Sequence, residues 1–230
     1  MQKHSTNWLG LLITILLLEA LLSPAFASTA MKQSHLHKKS PGELHNEGMK
    51  FILERIKVMP KPGDRKRLVI SLANRYLESI GEAPVKMDSP NPPRNYDEAI
   101  SGIRNINGSD TLKSAFKSVL KLERRNPKLA ALDRALVKLE RETAPRLKGD
   151  ELDRFSHAVS IARASARFWA PSEQGGVNGM KYFHPKGGFN PPPVEFPIAD
   201  SAGCMFCSEQ TGLVGCVFCG LVCSAIDMMF

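Results

Sequence analysis

Every cysteine of the 230-residue chain falls between Cys204 and Cys223, in a tail that carries no histidine. The spacing is C-x2-C (Cys204, Cys207), eight residues, C-x2-C (Cys216, Cys219), then three more to Cys223. Paired C-x2-C units suit tetrahedral zinc, because each unit sets two thiolates on one side of a turn and the pairs close from opposite sides. The spacer is shorter than the ~15–20 residues of a zinc ribbon. A second geometry is helix, turn, helix. Cys204 and Cys207 then share one face at i, i+3, and Cys216, Cys219 and Cys223 share another at i, i+3, i+7, with "SEQT" as the polar turn. One or two disulfides would join the two helices and leave one sulfur over.

The tail can also be read for hydrophobicity. "GLVGCVFCGLVCSAI" is fifteen residues without a charge, and Gly212, Cys216, Gly220 and Ser224 recur four apart, with Gly215 beside them. Such a seam of small residues lets helices approach closely and is an interface pattern in membranes. Fifteen residues fall short of the ~20 of a spanning helix, which favours an inserted hairpin, a half-buried segment or an oligomer seam. The plain alternative is a buried C-terminal segment packed on the rest of the chain, its cysteines acting as small hydrophobes.

Other chemistry is sparse. His45, Asn46 and Glu47 are consecutive, so on a helix they point in different directions and cannot jointly hold a metal or a substrate. His45 and His157 sit near expected apolar faces, where a hydrogen-bonded core histidine is commoner than a ligand. A Cys–His nucleophile would need a tail cysteine brought across the chain to one of them. His35 and His37 lack a third ligand nearby. No H-E-x-x-H, G-x-S-x-G or phosphate-cradling glycine loop occurs. The reading is therefore non-enzymatic and without a cofactor, zinc on Cys204, Cys207, Cys216 and Cys219 being the alternative.

The elements that must position these residues start after an export signal. Lys3, the apolar run "WLGLLITILLLEALLSP" and the small residues "AFA" give residues 1–27 the three-part form of a secretory signal, cut after Ala27 with Ala30 as second choice. Its retention as an anchor is the competing reading, since the run is about a membrane helix long. Residues 28–39 read as a mobile mature N-terminus. The chain has 31 Lys and Arg against 23 Asp and Glu, and the signal holds one of each sign. The net charge of +8 thus survives cleavage. Most of the surplus lies between Arg104 and Lys148, where twelve basic residues face five acidic ones. Nucleic acid is an unlikely partner behind a signal. A membrane or another anionic envelope surface fits better, with Lys113, Lys117 and Lys121 as the contact face. A solvated helix face is the plain reading of the same stripe.

Residues 40–170 read as a bundle of four to six short antiparallel helices, an all-α fold. Ser40, Pro41 and Glu43 form a capping box opening a helix expected to reach Val58, with Leu44, Phe51, Ile52 and Ile56 on one face. Asp64 is the expected cap of a second helix, with a stripe of Val69, Leu72, Ala73, Tyr76, Leu77 and Ile80 and a left-handed terminator at Gly81. A proline-rich connector spans 83–95, and a short helical turn follows around "YDEAISGIRN". Ser109 caps a helix lined by Leu112, Phe116, Val119 and Leu120; a further helix carries Leu129, Leu132, Leu136 and Leu139. Asp150 is the expected cap of a last one, lined by Leu152, Phe155, Val159, Ala162, Ala166 and Trp169. Residues 171–202, with five glycines and five prolines from Ser172 on, read as a linker. Tyr182, Phe183, Phe189 and Phe196 make it more apolar than a solvated linker, so it could lie along the bundle or a partner. Residues 203–230 form the tail.

"PGELHNEGMKFIL" and "ADSAGCMFCSEQTGLVGCVFCG" together resemble a loose group of secreted bacterial proteins of no assigned function, which pair a G-x-x-H-N-E helix opening with a tail rich in small residues. The cysteines at 204, 207, 216 and 219 depart from the glycine and alanine of those tails. The resemblance implies an exported, non-enzymatic protein and carries over no catalytic residue. The sequence reading is thus a secreted or envelope-associated helical protein acting by interaction through its tail, with a membrane, an anionic surface or a sister tail as partner. Its alternatives are a zinc or redox module and a precursor that releases a Cys-rich C-terminal peptide. On this reading the tail is an appendage, and the bundle is expected to stand without it.

Overall fold

A computed structural model describes residues 39–86, 93, 95–125, 128–183 and 196–229, the side chains of 196, 208–211 and 227 excepted. The expected signal and its cleavage point, most of the mature N-terminus with His35 and His37, most of the connector's proline run, and Phe189 lie outside the described residues. Those described contain seven α-helices and no β-strand.

Helix α1 (Pro41–Leu53) opens on the expected capping box. The Glu43 amide donates to Ser40 Oγ at 3.3 Å and the Ser40 amide donates to Glu43 Oε2 at 2.7 Å. It ends five residues before Val58, which is left exposed. Proline cannot share a helix with the carbonyl four residues before it, so Pro60 bars the extension. Helix α2 (Pro62–Ser79) starts on Pro62 with Lys61 at the cap, and Asp64 instead sits in the first turn, where it pairs with Arg67. Gly81 closes it with φ 88°: its amide donates to Glu78 O, and that of Glu82 to Leu77 O at 2.9 Å. This double closure needs the left-handed residue that glycine supplies without strain.

Helix α3 (Tyr96–Gly102) is capped by Asn95 and leads into a 3-10 turn, Ile103–Asn105. Helix α4 (Asp110–Arg125) has its cap at Ser109, whose Oγ accepts from the Leu112 amide at 3.2 Å. Glu151 fixes that cap by accepting from the Ser109 amide and hydroxyl at 2.6 and 2.8 Å. These bonds hold the Glu151 carboxyl below its ordinary pKa. Helix α5 (Leu129–Thr143) and helix α6 (Asp150–Trp169) complete the outer set. The cap of α6 is Gly149, at φ 51°, rather than Asp150. The expected stripes face inward. Leu112, Phe116, Val119, Leu120, Leu132, Leu136, Phe155, Val159 and Ala162 are buried together, while Leu129, Leu139 and Leu152 flank them half-buried.

Beyond α6 the glycine-rich strip packs on its own protein. The Val177 and Asn178 amides donate to Arg167 O and Ala170 O, both at 2.9 Å. Tyr182 stacks on Phe168 at 6.0 Å between centroids, and Gly179 lies against the same ring so closely that a Cβ would clash.

Helix α7 (Phe196–Met229) changes the domain picture drawn from sequence. It begins inside the stretch read as linker, at "FPIADSAG", and it is no appendage. Its largest interface is with α6, followed by α1 and α2, and it also packs on α4. Its residues 198–207 and 215–229 are almost wholly buried. An all-round apolar helix has no polar face to give to water, so it occupies the centre and the amphipathic helices surround it.

Removing residues 203–230 therefore takes out the centre of the bundle. Circular dichroism of that truncation should show most helicity and all cooperative melting lost, because each large buried side chain removed costs about 2–5 kcal/mol. A truncated chain that melts cooperatively at the parent temperature would show the tail to be peripheral after all.

Candidate functional site

The tail is a helical hairpin whose corner is Gly212, at φ 56° and ψ −137°. An added Cβ there would meet no atom within 4 Å, so glycine serves the conformation and not the space. The expected polar turn at 208–211 directly precedes this corner. The limbs run back against each other at Gly203, where a Cβ would lie 2.5 Å from Cys219 O and 2.8 Å from Cys223 Sγ.

Close approach lets the four C-x2-C sulfurs meet. Cys204 is bonded to Cys216 and Cys207 to Cys219, with Cα atoms 3.8 and 6.2 Å apart. This is the facing-helix arrangement with two bridges; Cys223 belongs to neither and is buried. Sulfurs bonded in this way present no thiolate, so zinc on Cys204, Cys207, Cys216 and Cys219 belongs to a reduced chain. No cluster of three or more metal-ligating side chains occurs among the described residues. Cysteine pairs at bonding distance fit an oxidising, extracytoplasmic compartment. No helix among the described residues is long and apolar enough to cross a membrane.

The small-residue seam is occupied by the chain itself. Gly215, Cys216, Gly220 and Ser224 are buried, and only Gly212 at the corner is exposed. Cys216 meets Cys204, and Gly220 faces the ring of His45 and the carbonyl of Asp200, 3.0 and 3.1 Å from where its Cβ would be. A side chain here would force α1 or the first limb to give by a few tenths of an ångström.

At that contact lies a polar cluster whose centre, His45 and Asp200, is closed to water. His45 Nε2 of α1 is 3.2 Å from Asp200 Oδ1 of α7, and both side chains are 0% exposed. From α6, Ser165 Oγ and Trp169 Nε1 both donate to Asp200 Oδ2, the indole at 3.1 Å. His45 Nδ1 lies 3.2 Å from Asn46 Oδ1, and Asn46 Nδ2 donates to Ala164 O at 2.9 Å. Beside them Ser201 Oγ donates to Glu123 Oε2 of α4 at 2.7 Å. Three outer helices thus hold the first limb by polar bonds to two adjacent residues, Asp200 and Ser201.

Burial alone would lower the His45 pKa, but the charge and hydrogen bond of Asp200, with help from Asn46 and the Gly220 backbone, raise it above its ordinary value. Burial pushes Glu123 well above the carboxylate range, against the Ser201 bond and with the Asp200 charge adding to the rise. Burial thus favours the neutral form of Glu123, beside the contact of His45 with Asp200. His157 is shifted down by its own burial, the charges of Asp153 and Asp150 opposing the shift.

The basic stripe divides. Lys113 and Lys117 are half-buried and share a groove of about 340 Å³ with Arg104, Asp110 and Ser114, whereas Lys121 stands exposed outside it. Lys113 Nζ donates to Arg104 O at 3.2 Å, which ties the helix to the preceding turn.

Sequence reasoning found His45 on an apolar face but missed its partner. Asp200 was counted as linker, and Glu123 and Trp169 were given no polar role. The available signal was a single acidic residue in the otherwise uncharged "FPIADSAGCMFC", which an all-apolar burial would have to answer with a cation. No family model matches the chain, and neither the curated proteins nor the solved structures yield a match.

Two outcomes test this site. Asp200→Ala leaves a buried imidazole unanswered and should destabilise the fold by about 3–5 kcal/mol in denaturant titration. The pH dependence has a definite sign. Both His45 and Glu123 have raised folded values, so their contribution is full below the ordinary values of 6.5 and 4.5 and is lost as pH rises through the folded ones. The stability these two groups supply should therefore fall from mildly acid to alkaline pH, with the lowered His157 opposing the fall below pH 6.5, and Glu123→Gln, which keeps the bond to Ser201, should flatten the part of the fall beginning near pH 4.5. An unchanged profile in that variant would remove Glu123 from the account.

Proposed function

We propose that the chain is a secreted or envelope-associated helical protein that acts without catalysis, by interaction, and that the C-terminal hairpin is the element it delivers. The observation that carries this is where the hairpin sits. The most apolar helix among the described residues is kept as a separately stapled unit at the centre of amphipathic helices, and it is fastened to them by polar bonds at one end. A hairpin cross-linked to itself and not to its surroundings can leave them as a whole. With its uncharged limb and small-residue surface of Gly215, Gly220 and Ser224, it suits a bilayer or a sister hairpin once the outer helices part. The basic face of Lys113, Lys117 and Lys121 supplies the approach to an anionic surface, at about 1 kcal/mol per residue near the headgroups. An oxidising compartment, with export by the N-terminal signal, belongs to the same reading.

The disulfides also favour a second reading. Both bridges close within residues 204–219, so a peptide cut from the C-terminus would carry its cross-links intact. A precursor whose bundle escorts such a peptide predicts a C-terminal fragment in the medium, and isolation of intact chain alone would count against it.

The main reading is tested by mixing the mature, oxidised protein with vesicles rich in phosphatidylglycerol that contain a lipid-soluble photoreactive probe. Label is expected in residues 213–229, in the bound fraction only. Binding with label confined to α4 and α5, or no binding at all, would defeat it.

A further inference from the structure

We infer that the groove between α4 and the turn before it is a phosphate site, so that the anionic surface is met first through individual phosphate groups and not through net charge alone. This inference rests on the surface-association reading and names the chemistry of its contact.

Three cationic side chains, Arg104, Lys113 and Lys117, line one groove of about 340 Å³, and the one acidic residue among its lining side chains is Asp110. Among the described residues none of the three cations makes an ion pair within 4 Å. Elsewhere on the outer helices, Arg124 pairs with Asp97 and Lys138 with Glu142. Three like charges gathered in a concave site with a single carboxylate among them still repel one another, and an anion seated there relieves that repulsion.

The donor set suits phosphate better than a lone carboxylate. Arg104 offers a planar fork that matches two phosphate oxygens, Lys113 and Lys117 offer point charges one helical turn apart, and Ser114 adds a hydroxyl. Lys113 is held in place by its bond to Arg104 O, which lowers the entropy lost on binding. Asp110 sets a limit on the ligand. Its carboxylate opposes a second full negative charge and can accept from a hydroxyl, so the fitting group is a singly charged phosphodiester with a hydroxyl nearby, as in a glycerol headgroup, or inorganic phosphate in its singly charged, doubly protonated form.

The fold gives the groove its shape. Glu151 holds Ser109, the cap of α4, by two hydrogen bonds, and Arg154 Nη1 donates to Asn107 O at 2.8 Å, so α6 fixes the loop that sets the turn against the helix. Ile103 and Ile106 anchor the same turn in the core. Arg104 therefore stands beside Lys113 and Lys117 before any ligand arrives.

The test removes two charges from the groove in one variant, Arg104→Gln with Lys117→Gln, and two from the exposed surface in another, Lys121→Gln with Lys128→Gln. All of these side chains are at least partly exposed, and matched melting curves would verify the folds. Partition of the full oxidised protein onto phosphatidylglycerol vesicles should weaken roughly tenfold more in the groove variant than in the surface variant. Inorganic phosphate at millimolar concentration should shift the amide resonances of Lys113 and Ser114 in the parent and leave the groove variant unmoved. Phosphate shifts combined with competition against vesicles would make the site general for phosphate. Vesicle loss confined to the groove variant, without free-phosphate shifts, would make it a headgroup site. Equal losses in the two variants would overturn the groove while leaving surface association standing, and no partition by the parent would remove both.

Discussion

The arrangement depends on one constraint: a hairpin that is apolar on every side must be enclosed, and the same hairpin carries a carboxylate. Burial of Cys216, Val217, Phe218, Leu221 and Val222 stabilises the fold through apolar area removed from water, at about 25 cal/mol per Å². It would also strand Asp200 far from solvent, where an isolated carboxylate is costly. His45, Ser165 and Trp169 meet that cost from two different helices. The position of α1 and α6 around α7 follows from this, because Asp200 is satisfied only when both are in place.

Apolar packing alone leaves a smooth hairpin free to slide or rotate within its sheath. Directional bonds at one point select a single register. Gly203 contributes to the same end, since it lets backbone come where a methyl group would collide, and Gly220 leaves only a tight fit beside His45 and Asp200. Buried ion pairs are often neutral in net stability but severe when one partner is lost. In this protein the pair ties the first described helix to the last. Glu123, bonded to Ser201 next to Asp200, adds α4 to the same point. The effect is that alkaline conditions act on the contact between hairpin and sheath, and not on the disulfides that hold the hairpin together.

The amphipathic helices were legible because each carries its own evidence. The stripe of Leu112, Phe116, Val119 and Leu120, the Ser40 capping box and the Gly81 terminator are local features, and local physics decides them. Where local signals competed, the boundaries moved: Pro60 cut α1 short of Val58, and Gly149 displaced Asp150 as a cap. The hairpin's cysteine faces were readable from the i, i+3 spacing, but the choice between zinc, disulfide and simple packing depended on what the other limb placed opposite. Its position in the fold was not legible. A segment apolar on all faces has the same pattern whether it is destined for a lipid, for a sister copy or for the middle of its own bundle, and the glycines and prolines of 171–195 suggested separation from the rest. Asp200 was hidden for the same reason, since a polar residue at the end of a supposed linker calls for no partner.

Central burial and membrane affinity are not opposed properties. The hairpin needs an apolar surround, and amphipathic helices and lipid acyl chains both provide one. What differs is the fate of Asp200, which has His45 as its partner inside the bundle and has only water or headgroups outside it. On the proposed reading that difference would place the energetic barrier to release at the Asp200 end of the first limb, while the Gly212 corner, exposed and with open space where a side chain would stand, is the end with least to give up. A hairpin leaving such a bundle would therefore lead with its corner, and its two disulfides would keep the limbs together through the transfer. Lys113, Lys117 and Arg104 lie on the outer helices and the turn before α4, not on the hairpin itself. On the proposed reading, attraction to a surface and exposure of the apolar element would thus fall to different parts of the chain, with the buried polar contact between them.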